Sequence, residues 1–185
     1  MSDTEGAIQP DGVAVPEPAQ AAHRRSGLSW WLASATVLAD QASKALVTAA
    51  IPLYSSHTVI PYVVDLVHVQ NAGVAFGLMN EFDHPRRTLI TTALALIALI
   101  SIAVYARHVR PQERLARLGL SLILGGAVGN LIDRVRQGFV VDFVDVYWRG
   151  WHFWAFNVAD AAITIGATLV CLDILLVRRH ASDSV

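Results

Sequence analysis

Thr88-Leu-Ile-Thr-Thr-Ala-Leu-Ala-Leu-Ile-Ala-Leu-Ile-Ser-Ile-Ala-Val-Tyr-Ala106 runs for 19 residues without a charged side chain. A helix rises about 1.5 Å per residue, so this stretch alone nearly crosses the roughly 30 Å of hydrocarbon in a bilayer. Working outward, three more apolar stretches qualify or nearly qualify as spans. Leu28 to Ile51 is interrupted by Asp40 and Lys44, Leu118 to Ile132 is shorter and runs into Asp133, and Asn157 to Val177 contains Asp160 and Asp173. Only Thr88 to Ala106 reads as a plain lipid-facing anchor. The pattern predicts a membrane all-α fold of four transmembrane helices.

Composition agrees. Of the 185 residues, 54% are hydrophobic and 16% charged, which argues against both a disordered chain and an ordinary soluble domain. A formal net charge of −1 removes the electrostatic case for a nucleic-acid partner. The lone Cys171 cannot form an internal disulfide, and its apolar run predicts a buried structural thiol. Residues 1–27 are Pro-rich, without hydrophobic periodicity, and read as a disordered cytoplasmic tail. Residues 28–180 form the predicted membrane domain, and 181–185 a short second tail. No secretory signal peptide is expected, since Leu28 to Ile51 is too long for its apolar region.

Basic residues in short loops stay on the cytoplasmic side. With four spans both termini share a side, and that side carries Arg24, Arg25, Arg107, Arg110, Arg114, Arg117, Arg178 and Arg179. The other side has Arg86, Arg87, Arg134, Arg136 and Arg149, so both termini are predicted cytoplasmic. Trp30 and Trp31 then fall at the inner interface, and Trp148, Trp151 and Trp154 at the outer one. Between the first two spans, Val59 to Val69 is rich in β-branched residues and ends in the turn signal Gln70-Asn71-Ala72-Gly73. This predicts a small extracytoplasmic strand or hairpin.

Charges inside a span cost about 2.5–3.5 kcal/mol each at a helix centre, so each needs a partner or a task. Asp40 and Lys44, four apart, suit a structural ion pair on one helix face, with Lys44 free to snorkel. At the outer ends of spans three and four, Gly129-Asn-Leu-Ile-Asp-Arg134, Val141-Asp-Phe143 and Phe156-Asn-Val-Ala-Asp160 converge. Asn130 and Asp133 are three apart, as are Asn157 and Asp160, so each amide and carboxylate would share a face. Two carboxylates brought together share a proton and can act as general base and general acid on one water, the chemistry of aspartic proteases. Plainer roles compete: Asp133 beside Arg134 suits an ion pair, and Asp142 a helix cap. Asp160, within an apolar span, fits them least. Spacing alone does not choose between Asp142 and Asp133. Neither a metal-ligand spacing, a Gly-x-Ser-x-Gly elbow nor a phosphate loop is present, so no metal or cofactor is expected. Gly125 and Gly129 form a small-residue face for close helix packing near this cluster.

With Asp40-Gln-Ala-Ser-Lys44 and Asn71-Ala-Gly-Val-Ala-Phe76 added to the three outer blocks, the chain from Ser29 to Arg179 resembles the bacterial lipoprotein signal peptidases, the type II signal peptidases. The resemblance implies an aspartyl endopeptidase of the plasma membrane, acting at its extracytoplasmic surface on diacylglyceryl prolipoproteins just before the lipidated cysteine. It also implies a catalytic pair at Asp142 and Asp160. Asn71, Asn130, Arg134 and Asn157 would hold substrate or shape the pocket, Asp133 would support the pair, and globomycin would inhibit. The partners implied are the prolipoprotein substrate and membrane lipid. Val59 to Val69 would cradle the substrate, and Tyr147 to Trp154 would form a lid. A proton-conducting or transporter subunit is the rival reading, but it wants polar groups spread through the membrane depth and paired broken helices. A purely structural subunit leaves the Asn and Asp cluster without a purpose.

Overall fold

The computed structural model describes residues 28–73, 84–110 and 112–182. They form helices α1 (Trp30–Ala50), α2 (His84–Ala106), α3 (Arg114–Gln137) and α4 (Val158–Ser182), with strands β1 (Ser56–Ile60), β2 (Val64–Asn71), β3 (Val140–Trp148) and β4 (Trp151–His152). Three helices, α2, α3 and α4, are long and apolar enough to cross a membrane. The fourth, α1, has similar length but carries Asp40, Gln41, Ser43 and Lys44 in one short run. Residues 1–27 and the segment Val74 to Phe76 of the second block lie outside the described residues.

Helix α3 is the centre of the bundle, because its glycines let backbones approach. A Cβ on Gly125 would meet Ala33 O and Thr36 Cβ of α1, each at 2.7 Å. One turn on, a Cβ on Gly129 would meet Asp40 Oδ2 at 2.5 Å. On another face, Gly119 and Gly126 approach the backbone oxygens of Gly166 and Ala159 on α4. Without a hydrophobic drive between helices in lipid, such close packing and interhelical polar contacts are what hold a bundle together. The small-residue face read from Gly125 and Gly129 is thus present, and its neighbour is α1.

These contacts also fix direction. Ser29 N–H donates to Ser121 Oγ at 2.8 Å and Lys44 reaches Asp133, so α1 and α3 run parallel. The contacts of Gly119 with Gly166 and of Gly126 with Ala159 make α4 antiparallel to α3. Thr88 Oγ1 donates to Gly138 O at 3.1 Å, setting the start of α2 beside the end of α3. Gly138, left-handed at φ 81°, stops α3 and frees the chain to enter β3.

At that end the strands form one antiparallel sheet in the order β1-β2-β3-β4. The hairpin expected over Val59 to Val69 is there as β1 and β2. Residues 140–152, for which the sequence pattern predicts no strand, supply two of the four described strands, β3 and β4. The supposed lid from Tyr147 to Trp154 begins as a tight hairpin, with Arg149 and Gly150 both at positive φ (49° and 82°) between paired Trp148 and Trp151. Helix α3 extends to Gln137, past the expected end at Ile132, so Asp133 and Arg134 sit on helix. Trp30 and Trp31 are exposed at one end of the bundle and Trp148, Trp151 and Trp154 at the other. Cys171, expected to be buried, is exposed on α4, since it falls on the helix face turned away from α3.

Candidate active site

The site lies where the ends of α1 and α3, strand β3 and the start of α4 meet. Strand β3 brings it together. On one side β3 pairs with β2 so that Asn71 faces Val140 and Val69 faces Asp142. Asn71 and Asp142 are therefore diagonal neighbours on one face of the sheet, and Asn71 Nδ2 donates to Asp142 Oδ2 at 2.9 Å. On its other side β3 exchanges backbone hydrogen bonds with Phe156, the residue just before Asn157. A register set by two backbone ladders thus carries Asp142 to the start of α4.

Helix α4 opens with a reciprocal cap. Asp160 N–H donates to Asn157 Oδ1 at 2.9 Å, and Asn157 N–H donates back to Asp160 Oδ2 at 3.2 Å. The next free amide, Ala159 N–H, donates across the bundle to Asp40 Oδ1 at 3.0 Å. Asn157 and Asp160 therefore meet through a helix cap, where the sequence reading had them side by side on a helix face. Asp142 lies in β3 and caps no helix.

Two carboxamides link the two aspartates. Asn157 Nδ2 donates to Asp142 Oδ1 at 2.7 Å, and at longer range to Asn130 Oδ1 (3.2 Å) and Val141 O (3.3 Å). Asn130 Nδ2 donates to Asp160 Oδ1 at 2.8 Å. Burial pushes the Asp142 carboxyl up to about 6; the Asn71 donor opposes this, the nearby Asp160 charge adds to it, and the Asn157 donor and the Lys44 charge pull it down again.

Behind them sits a buried ionic cluster. Lys44 Nζ lies 2.8 Å from Asp40 Oδ2 and 2.7 Å from Asp133 Oδ2, and donates to Asn130 Oδ1 at 2.9 Å. The expected Asp40–Lys44 pair is present, but Lys44 does not snorkel: it is 4% exposed. Its donors are taken by three acceptors inside the protein. Asp133 pairs with Lys44, whereas its neighbour Arg134 donates instead to Asn130 O at 3.2 Å. Consecutive residues point about 100° apart on a helix, so the adjacent arginine faces away. Gln41, absent from the sequence-derived candidates, donates from Nε2 to Asp133 Oδ1 (2.9 Å), Asp40 Oδ2 and Gly129 O. The signal for it was a third polar side chain within the run that holds Asp40 and Lys44.

Asp142 and Asn71 face a cavity of about 640 Å³, together with Gly73, Arg87, Arg134 and Trp154. A second cavity, of about 450 Å³, lies on the far side of the ionic cluster, lined by Gln41, Lys44, Thr48, Asp133 and Arg136 among others. The structure therefore joins Asp40, Lys44, Asn71, Asn130, Asp133, Asp142, Asn157 and Asp160 in one connected network, with Arg134 at its edge. Among the described residues no cluster of His, Cys, Asp and Glu is arranged to hold a metal ion.

The chain is similar to known proteins in sequence and fold. A sequence model described as signal peptidase (SPase) II matches residues 32–176. The lipoprotein signal peptidase of Geobacter metallireducens is 46% identical over 147 residues, covering 80% of this chain and 90% of the relative. That of Haemophilus ducreyi is 37% identical over 161 residues, covering 86% and 99%. A solved bacterial membrane enzyme, determined in meso at 1.9 Å, superposes with a TM-score of 0.70 at 30% identity, covering 78% of this chain and 90% of its own. With most of its length, and every residue of the network, inside the matched region, the chain belongs to the signal peptidase II family of membrane proteases, the lipoprotein signal peptidases.

Proposed function

We propose that this chain is an aspartyl endopeptidase that removes signal peptides from diacylglyceryl-modified prolipoproteins, cutting just before the lipidated cysteine, with Asp142 and Asp160 as its hydrolytic pair. The observation that carries the reading is the linkage of these two carboxylates through Asn157 and Asn130, with Asp142 on the wall of the large cavity. The reaction needs one proton on the pair, and the surroundings of Asp142 raise its carboxyl toward the protonated form, to about 6. Substrate covering the site excludes water and pushes in the same direction.

In the reaction, the ionised carboxylate takes a proton from a water molecule while the water oxygen bonds to the scissile carbonyl carbon. The protonated carboxyl donates to the carbonyl oxygen, giving a neutral tetrahedral diol. A proton then passes to the amide nitrogen, the carbon–nitrogen bond breaks, and the pair regains its single shared proton. Asn71, Asn157 and Asn130 hold the carboxylates in place, and Arg134 on the cavity wall suits the substrate backbone. Asp133, Asp40 and Lys44 support them from behind.

In this reading α1 is the fourth span, its charges neutralised within the bundle, and both termini are cytoplasmic. The sheet and the aspartates then lie at the outer surface of the plasma membrane, where a diacylglyceryl anchor presents the bond beside it. Globomycin-type inhibitors would occupy the same cavity. In this reading the peptidase domain spans residues 28–180, with 1–27 and 181–185 outside it. A relay running through the membrane is disfavoured, since the network gathers at one end of the bundle. The test is cleavage of a synthetic diacylglyceryl prolipoprotein peptide by the purified protein, with and without Asp160→Asn; equal turnover would refute the proposal.

A further inference from the structure

We propose that Lys44 is a positioning residue for the peptidase reaction: its buried ammonium fixes which way the carboxamides of Asn130 and Asn157 point, and so supplies one N–H donor to each of the two aspartates. This rests on the reading of Asp142 and Asp160 as the hydrolytic pair.

An ammonium has three donors and no acceptor. Lys44 directs them at Asp40 Oδ2, Asp133 Oδ2 and Asn130 Oδ1, all within 2.9 Å. A carboxamide, by contrast, has two ends of nearly equal shape, and only its partners choose between them. Facing Lys44, only the oxygen end of Asn130 is tolerated, because donor against donor would leave two buried groups unpaired. With its oxygen held there, Asn130 must turn Nδ2 toward Asp160 Oδ1, 2.8 Å away.

The choice passes one residue further. Asn130 Oδ1 also accepts from Asn157 Nδ2 at 3.2 Å, which requires the nitrogen end of Asn157 on that side. The same nitrogen reaches Asp142 Oδ1 at 2.7 Å, leaving Asn157 Oδ1 to accept from Asp160 N–H at 2.9 Å. One cation on α1 thus sets the polarity of side chains on α3 and at the start of α4. Without it, Asn130 can turn over and present an oxygen to the Asp160 carboxylate.

If Lys44 only neutralised Asp40 and Asp133, its loss would lower the folded fraction and leave the turnover of folded molecules unchanged. The experiment therefore measures kcat and KM per folded molecule, on the full chain in detergent with a synthetic diacylglyceryl prolipoprotein peptide. The variants are Lys44→Met, Lys44→Met combined with Asp40→Asn, and Lys44→Arg. The combined variant removes one buried anion together with the cation. A misplacement of reacting groups by about 1 Å costs about 10²-fold, so kcat should fall about that far in both Met variants while KM stays near wild type. Lys44→Arg keeps a donor-only cation, with the cavity of about 450 Å³ beside it to take the added bulk, and should hold most of the turnover.

Wild-type kcat in the folded Asp40→Asn/Lys44→Met protein overturns the proposal, as does a rise in KM with kcat intact. If neither Met variant folds, Lys44→Arg decides: folded and active supports the role, folded and as inactive as Asp160→Asn overturns it. Asp142→Asn and Asp160→Asn run in parallel. Near-normal turnover in both defeats the reading of the pair; their inactivity beside a fully active Asp40→Asn/Lys44→Met defeats the role of Lys44 alone.

Discussion

Removing the side chain of Asn71 should move the alkaline limb of the activity profile to higher pH. Asn71 Nδ2 donates to Asp142 Oδ2 at 2.9 Å and favours the ionised form, against the burial and the Asp160 charge that together bring Asp142 to about 6. A hydrogen bond to a charged acceptor is worth about 1.5–3 kcal/mol and one pKa unit about 1.4 kcal/mol, so complete loss would lift Asp142 by about one to two units. The adjoining cavity of about 640 Å³ can admit a water that restores part of the bond. The expected shift in Asn71→Ala is therefore about one unit. The assay is kcat/KM against pH on a lipidated prolipoprotein peptide, since that ratio reports the free enzyme. The variant also deprives Gly73 N–H of its acceptor, Asn71 Oδ1 at 2.8 Å, so the thermal midpoint should fall modestly and is measured beside it. A limb that stays fixed, or moves to lower pH, would refute the assignment of that limb to Asp142.

Asp142→Asn and Asp160→Asn should each reduce kcat by about 10⁴-fold in folded protein, and the double change should be scarcely worse, because the two groups act as one unit. Asp133→Asn removes a partner of Lys44 and should lower folded yield; if folded Asp133→Asn is dead while Asp142→Asn turns over normally, the pair is Asp133 with Asp160. Asp40→Ala breaks a buried ion pair and frees Ala159 N–H, which should cost about 3–5 kcal/mol in unfolding measurements. Raising Asp142 from its ordinary 3.8 to about 6 has a stability signature as well. The unfolded chain releases this proton first, so this contribution is full below about pH 4, is lost as pH rises toward about 6, and is flat beyond; thermal midpoints of Asp142→Asn should lack that slope. Peptidase activity should persist in EDTA, and a loss restored by zinc would contradict the carboxylate mechanism.

Much of the membrane frame was legible from hydropathy, because a segment that cannot hydrogen-bond to lipid must be a helix of about bilayer length. The ends were less so. Residues Asp133 to Gln137 look polar enough to leave the membrane, yet α3 continues through them because Lys44, Gln41 and the amide of Val141 receive the Asp133 carboxylate. Strand β3 carries no clear period-two pattern, since its first four residues, Val140 to Phe143, are all buried whichever face they point to. The role of Gln41 is hidden from the sequence because, beside the adjacent Asp40, its partners Gly129 and Asp133 lie on α3, far along the chain.

The sequence by itself determined that this is a membrane protein with a one-sided cluster of Asn and Asp, and its motifs pointed to the family. Which aspartate faces the cavity of about 640 Å³ beside Asn71 was decided only by tertiary structure. Asp133 and Asp142 are nine residues apart and chemically identical, and no local rule separates them. The difference comes from α1, whose Lys44 neutralises Asp133, and from the β2–β3 register, which turns Asp142 toward Asn71 and the cavity. The environment of a carboxylate is set by the charges and donors within a few ångströms of it, and here those come from elements about 70 to 90 residues away in the chain.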